Sequence, residues 1–283
     1  MYEKIAKLVE LKTANIFLCG ENLTDQDGFR SALYSKLKVD PNYNVIYPEW
    51  IFPDLYVNNK FNIQTLEKML ASHVDAIIIP LVSPATFAEA SLFSSDDEIC
   101  KKMIVLNSAE YKKSQSFINL GPLSLISTNG GKIVWYKDKE DAINQVMSFI
   151  KKLKNKEQHR NNWFYYSNVI LAIITIEFPV TEDELKRVLS DLSVPTDDLS
   201  FKPAINILKR KNLILEENSF QNKAKKKVKS FRLSPSGHEH VFAPKGKTKA
   251  HKNISVMRLD QLSLRYKKHY KIQKYLENEY TSV

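Results

Sequence analysis

Cysteine is scarce in this 283-residue chain, which has two, Cys19 and Cys100. That rules out a disulfide scaffold and makes a reducing, cytoplasmic setting the expectation. Seven glycines and eleven prolines exclude collagen-like and long flexible designs. Long hydrophobic runs are missing too. The longest clean one, Val169 to Ile176, is closed by Glu177 and falls well below the roughly 18 residues a membrane span needs. The opening residues, MYEKIAKLVELKTA, mix charges and have no apolar centre, so they do not read as a secretory signal. Histidine and cysteine do not cluster, and no metal site is expected.

The bulk composition, 43% hydrophobic and 26% charged, is that of an ordinary globular protein, and the length suits two domains. The charge is unevenly placed. Residues 1–150 hold 15 Lys+Arg against 18 Asp+Glu, whereas residues 151–283 hold 27 against 14. The whole basic excess therefore lies in the second half. An acidic-to-neutral half suits a small-molecule site, and a basic half suits a polyanion, most often nucleic acid.

In the first half, apolar runs alternate with helical periodicity. Residues 14–19 (ANIFLC), 45–47, 76–82 (AIIIPLV), 103–106 and 132–136 read as strands. Helical patterns fall at 28–37, around Ile63, Leu66 and Leu70, at 86–94, and at 142–153. Strands alternating with helices predict an α/β fold, a doubly wound parallel sheet with Rossmann-like layering, over residues 1–155. In such folds the ligand sits at the carboxyl ends of the strands. Those ends carry Cys19, Gly20, Glu21 and Asn22, then Tyr47, Pro48 and Glu49, then Ser83, Phe87 and Glu89. Neither a dinucleotide fingerprint nor a phosphate-binding P-loop follows the first strand. A helix is expected to begin near Thr86, which would put Glu89 in its first turn, where the helix dipole favours a carboxylate. Each acid also has an ordinary reading: Glu89 as the end of a Ser/Thr-x-x-Glu capping box, Glu21 and Glu49 as loop acids, Asn119 as a turn cap. Cys19 reads more readily as a small core residue than as a nucleophile. Together, three carboxylates and an amide at one sheet edge suit stabilisation or capture of a positive sugar carbon, as in cleavage of a glycosidic bond.

Taken in order, Ile16-Phe17-Leu18-Cys19-Gly20, Tyr47-Pro48-Glu49, Ser83-Pro84 with Phe87, Glu89 and Phe93-Ser94, and Ser116-Phe117-Ile118-Asn119 with Gly121-Pro122 form a pattern. It resembles the nucleoside 2-deoxyribosyltransferase-like family, and within it the effector proteins of bacterial retron anti-phage systems. The resemblance spans roughly residues 15–125. It implies a glutamate nucleophile at Glu89, and an asparagine at Asn119 that can reach the site of a neighbouring subunit. Substrate contacts would come from Cys19, Gly20, Glu21, Tyr47, Glu49, Ser83 and Phe87. Two positions depart from the transferases: Phe17 replaces a tyrosine that orients the nucleophile, and Ser83 replaces an aspartate that handles the nucleobase. Without that acid, simple cleavage is expected rather than base exchange, above all for a leaving group that departs without protonation. Nicotinamide is such a group, so the resemblance implies an N-glycosidase acting on NAD, or on a nucleotide or nucleoside, with NAD as substrate and no cofactor.

The second half, residues 160–283, reads as three helices, about 163–176, 181–192 and 201–211, followed by strands at 212–216 and 229–234. That order resembles a winged helix-turn-helix, and the phrase FRLSPSGHEHV resembles the strand that closes such a wing. Expected nucleic-acid contacts are Lys202, Lys209, Arg210 and Lys211 on the third helix, and Lys223, Lys225, Lys226, Lys227 and Lys229 between the strands. Lysine dominates, so backbone binding with little sequence preference is expected. Trp163, Phe164, Tyr165 and Tyr166 fit a helix core better than a stacking platform. Residues 256–280 have the pattern of an amphipathic helix. The family resemblance implies retron reverse transcriptase and its RNA–DNA product (msDNA) as partners, a higher-order oligomer, and an effector toxin of anti-phage defence without membrane attachment. The competing readings are a DNA-binding regulator, or an assembly subunit, with a degenerate nucleotide-sensing domain.

Overall fold

A computed structural model of the chain describes residues 2–10, 13–21, 25–53, 62–153, 162–177, 180–221, 226–242, 254 and 256–263. For residues 8, 9, 218–221, 226 and 227 only the backbone is described. The chain divides into two compact units, residues 12–157 and residues 158–283 together with 1–11. The first helix, α1 (Tyr2–Val9), thus belongs with the C-terminal unit.

The unit of residues 12–157 is an α/β fold. Its elements are β1 (Ala14–Leu18), α2 (Phe29–Leu37), β2 (Tyr43–Ile46), α3 (Ile63–His73), β3 (Ala76–Pro80), α4 (Pro84–Phe93), β4 (Met103–Ser108), β5 (Lys132–Tyr136) and α5 (Lys139–Ile150). The sheet order is β2-β1-β3-β4-β5, with every pairing parallel. Strands β1 and β3 are buried along their whole length, which is why they read as unbroken apolar runs. On one face Ile16, Leu18, Ile78, Leu106 and Val134 pack with Leu33 and Leu37 of α2 and with Val146 and Ile150 of α5. On the alternate positions Phe17 and Ile77 are register partners, and Phe93 of α4 meets Phe17 edge-on with ring centroids 5.9 Å apart. Truncating a ring as buried as Phe93 costs about 3–5 kcal/mol in a typical core. The chain leaves β1 toward β2 on one side, while β3 lies on the other. The loops after β1 and β3 therefore diverge and open a crevice at this switch point.

Helix α4 begins two residues before its sequence-expected start. Ser83 is the N-cap, accepting from the Thr86 amide at 3.4 Å, and Pro84 occupies the first helical position. The Thr86 hydroxyl in turn accepts from the Ser83 amide at 3.1 Å. The capping box is therefore Ser83–Thr86, and Glu89 lies in the second turn rather than the first.

In the C-terminal unit the central element is α6 (Trp163–Glu177), buried on all sides for nearly its whole length. Trp163, Phe164 and Tyr166 are part of this core. Helix α1 packs on it, the Tyr2 hydroxyl donating to the Glu177 carboxylate and the Tyr165 hydroxyl to Glu3 at 3.4 Å. There follow β6 (Val180–Thr181), α7 (Glu182–Asp191), α8 (Asp198–Arg210), β7 (Ile214–Gln221), β8 (Lys226–Leu233) and α9 (Pro235–Phe242). Thr181 and Glu184 close a reciprocal capping box at the start of α7, and Asp197 caps α8. The strands form an antiparallel sheet in the order β6-β8-β7. The hairpin is longer than its sequence pattern indicates, and the phrase FRLSPSGHEHV divides. Phe231 to Leu233 end β8, then the Ser234 hydroxyl accepts from the Gly237 amide at 2.8 Å and starts α9. A side chain at Gly237 would place its Cβ 1.9 Å from the Leu213 carbonyl, so glycine is required for this close approach. Residues 256–263 are helical, and the rest of the expected tail helix lies outside the described residues. Among the described residues no helix is long and apolar enough to cross a membrane.

Candidate active site

The switch-point crevice assembles from four elements. Gly20 follows β1 with φ +144°, a conformation that favours glycine, and an added Cβ would lie 3.0 Å from Cβ of Arg30. This close approach brings α2, and Arg30 with it, against the end of β1. The Cys19 amide donates to the Ile78 carbonyl at 2.9 Å, fixing the loop to β3. Helix α4 brings Glu89 to the same place, beside the buried Cys19 thiol.

The sequence-selected acids separate by role. The Glu21 carboxylate caps α2: it accepts from the Phe29 amide and from the Arg30 amide, each at 3.1 Å. These are unsatisfied helix-start donors, and the charge suits the dipole. Gly28 makes room for it, since a Cβ there would meet the carboxylate at 2.9 Å. Glu49 holds the Arg30 guanidinium, with Nη2 3.2 Å from Oε2. Arg30 is 6% exposed, donates from Nη1 to the Glu21 carbonyl at 3.1 Å, and stacks over the Tyr47 ring at 4.1 Å. Its Nε is buried and has no partner among the described residues.

Glu89 differs from both. Its Oε2 is buried without a hydrogen-bond partner among the described residues. Burial, with the nearby Glu67 carboxylate, raises its pKa from the ordinary carboxyl range to about 7, against the opposing pull of the Cys19 thiol and Arg30. Burial and the Glu89 charge push the Cys19 thiol well above its usual range, so the thiol keeps its proton. A carboxyl poised near neutrality in a crevice fits nucleophilic or acid–base work. Ser83 serves α4 as its cap, and Phe87 sits one turn into that helix, 36% exposed. Asn119 is held by its own loop: Nδ2 donates to the Tyr111 carbonyl at 2.7 Å and to the Ser114 carbonyl at 2.8 Å. It lines an open depression of about 550 Å³ with Ser124, Thr128, Lys132 and Trp135.

Arg30 and Glu67 were not singled out from sequence. Arg30 had a legible signal, because it shares a helix face with Leu33 and Leu37 and interrupts an apolar stripe with a charge. Glu67 had none; it is one polar residue among several on α3.

On the C-terminal unit three of the nine expected nucleic-acid contacts are paired with acids. Lys202 bridges Asp198 at 3.0 Å within α8. Lys209 and Lys229 both reach Glu216, at 2.9 and 2.8 Å. Burial pushes Glu216 up, but hydrogen bonds from these two lysines outweigh it and leave the carboxyl below its usual range. Arg210 is exposed, whereas Lys211 is half-buried and desolvation lowers its pKa to about 8. Lys226 and Lys227 lie on β8 opposite Gln221 and Phe220. Lys223 and Lys225 lie outside the described residues.

Comparison with known proteins agrees with a retron origin. The family described as STM3845 retron effector protein matches residues 26–217, and the chain belongs to that family. It is 34% identical over 120 residues to an Escherichia coli protein named "Retron Ec86 putative ribosyltransferase/DNA-binding protein", a match covering 42% of this chain and 39% of that one. An Escherichia coli retron Ec73 protein of the same description is 29% identical over 132 residues, covering 43% of this chain and 42% of that one. The matches thus span about two-fifths of the length of these curated relatives.

Proposed function

We propose that residues 12–157 form an N-glycosidase of the nucleoside deoxyribosyltransferase-like kind that hydrolyses NAD, and that the C-terminal unit is a winged helix that binds nucleic acid. The observation that carries the first part is the Glu89 carboxyl: buried at the switch point, flanked by Glu67 and Glu49, with one oxygen unpartnered among the described residues. The sheet order β2-β1-β3-β4-β5 supports a doubly wound nucleotide-type fold.

Ionised Glu89 attacks C1′ of the nicotinamide ribose, forming a carbon–oxygen bond as the carbon–nitrogen bond breaks. The electron pair of that bond goes to the pyridinium nitrogen, so nicotinamide leaves neutral and needs no proton. Water then attacks C1′, releases the Glu89 carboxylate and yields ADP-ribose and a proton. The charges favour a cationic glycoside over a neutral nucleoside. Glu89, Glu67 and Glu49 face Arg30, so the site carries excess negative charge when its carboxyls are ionised. In this reading Glu21 and Glu49 shape the crevice through α2 and Arg30, and direct ribose contacts fall to Glu67 and the loop after β3.

For the second unit, the order helix, strand, two helices, then a two-stranded hairpin supports the winged-helix reading. The basic excess of residues 151–283 supplies phosphate affinity. Within the retron effector family, the partners proposed are the reverse transcriptase and its RNA–DNA product, holding the effector until infection. The test is nicotinamide release by purified protein, alone and with reverse transcriptase and msDNA, for wild type and Glu89→Gln. Release by wild type and its loss in the variant is the expected result. No release from NAD under any of these conditions, by folded protein, would overturn the NAD assignment and favour a nucleotide-sensing or assembly role.

A further inference from the structure

We infer that the depression along β5 is a second ligand site, separate from the Glu89 crevice, and that it takes a nucleotide. The base lies against Trp135, the phosphate at Lys132, and sugar or phosphate oxygens on the hydroxyls of Ser124, Ser127 and Thr128. Strand β4 runs between β3 and β5, so the two sites are about 10 Å apart at the level of the sheet. The inference stands without the glycosidase reading.

Val134 of β5 belongs to the core shared with α2 and α5, and Tyr136 packs against it. That leaves Ile133 and Trp135 on the opposite face, half-buried. There the π-helical turn Asn119–Leu123 and the short helix Ser124–Thr128 form the far wall of a depression of about 550 Å³. Ser124, Ser127 and Thr128 are three and four residues apart, so they share one face of that helix, and all three line the depression. The walls are held in place by the fold. The Gly131 amide donates to the Ile126 carbonyl at 2.8 Å, and a Cβ at Gly131 would lie 2.5 Å from the Cys100 carbonyl oxygen. Only glycine lets β5 begin this close to the helix. The Asn119 amide fixes the other end through the Tyr111 and Ser114 carbonyls.

The polar groups of the lining are uncommitted. Serines on other helices of this unit bond their own helix: Ser72 to the Met69 carbonyl at 2.7 Å, Ser91 to Phe87 at 2.9 Å and Ser148 to Gln145 at 2.7 Å. Among the described residues the hydroxyls of Ser124, Ser127 and Thr128 have no partner, Lys132 has no acidic partner, and the Trp135 ring has no aromatic or cationic one. The lining holds Lys132 and no carboxylate, so it favours an anion. A bare phosphate would leave the indole face unused, and an uncharged sugar would leave the ammonium unused. A nucleotide engages the indole, the ammonium and the hydroxyls together, and the volume suits one. Stacking on an indole tolerates any base, so little base preference is expected.

The test is calorimetric titration of the full chain with adenosine 5′-monophosphate, and with a short 5′-phosphorylated single-stranded DNA, for wild type, Lys132→Ala and Trp135→Ala. Each substitution weakens binding of the monophosphate about tenfold. Adenosine binds wild type no better than the monophosphate binds Lys132→Ala. Added salt weakens the monophosphate more on wild type than on Lys132→Ala. The monophosphate also quenches tryptophan fluorescence in wild type, and the quench is absent in Trp135→Phe. If only binding of the DNA responds to the substitutions, the site stands and its nucleotide comes from a strand rather than the free pool. Affinities for both probes that ignore both substitutions, or no saturable binding of either probe, overturn the site. Lys132 is exposed, so its variant keeps the fold. Should Trp135→Ala not fold, the fluorescence of Trp135→Phe decides in its place. Nicotinamide release does not enter these readouts, so its absence would remove the glycosidase and leave this site standing.

Discussion

Glu89 and Glu216 are both carboxylates set among charged neighbours, and their environments push them in opposite directions. Glu216 lies between Lys209 and Lys229, which hold it ionised. Glu89 is desolvated beside another carboxylate and sits close to neutrality in its titration. A charge that is paired and solvated contributes little chemistry. A charge kept from water and from a counter-ion has a free energy to release when a substrate arrives. The same contrast separates Glu89 from its neighbour Glu49, which Arg30 claims.

The sharpest way to break this comparison is Glu89→Gln. Turnover should fall about a thousandfold or more if the carboxylate forms the bond to carbon, measured as nicotinamide release. Glu216→Gln should leave it unchanged. Next in size is Arg30→Gln, which removes a buried cation from Glu49, the Glu21 carbonyl and the Tyr47 ring. Glu49 is half-exposed, which discounts the loss, and about 2–3 kcal/mol in denaturant unfolding is expected.

Glu89 also makes stability depend on pH. Its folded pKa, about 7, lies above the ordinary value of 4.5, so the folded state binds more protons between the two. Stability should therefore fall as pH rises from about 4.5 to 7, and Glu89→Gln should remove that fall. The variant should gain up to about 3 kcal/mol over wild type at pH 8, and much less at pH 4, read from melting curves across pH. Gly28→Ala should cost about 1 kcal/mol, because its Cβ displaces the Glu21 cap from α2. The smallest effect belongs to Glu216→Gln. Freeing Lys209 and Lys229 should steepen the salt dependence of nucleic-acid binding by up to about 2 in log–log slope.

The parallel sheet was legible because buried strands must be apolar throughout, as AIIIPLV is, and their carboxyl ends led directly to the residues of the crevice. The roles of the acids were not legible. Glu21 meets α2 eight and nine residues away, through a contact that Gly28 permits, and no periodicity encodes it. The start of α4 was misplaced because Thr86-x-x-Glu89 matches the Ser/Thr-x-x-Glu capping-box pattern, whereas the Ser83–Thr86 box that forms carries no acid. Pro84 decides between them, since its fixed φ and missing amide suit the first helical position after a Ser83 cap. The lysine-rich stretch hid the length of the hairpin, since its charges masked the alternation of β8. Arg30 could have been found as the charge within the buried stripe of α2.

The placement of α1 bears on how the protein can be taken apart. Because residues 1–11 fold with residues 158–283, the chain passes between the units twice, near residue 12 and near residue 157. A protease cut at the second crossing alone would leave residues 158–283 held only by their packing on α1, which stays covalently attached to residues 12–157. Trimming the amino terminus, ordinarily the mildest of truncations, would strip Ile5, Ala6 and the Tyr2–Glu177 contact from the opposite end of the sequence. A transplant of the C-terminal unit must therefore carry both ends of the chain, and residues 12–157 are the insert between them.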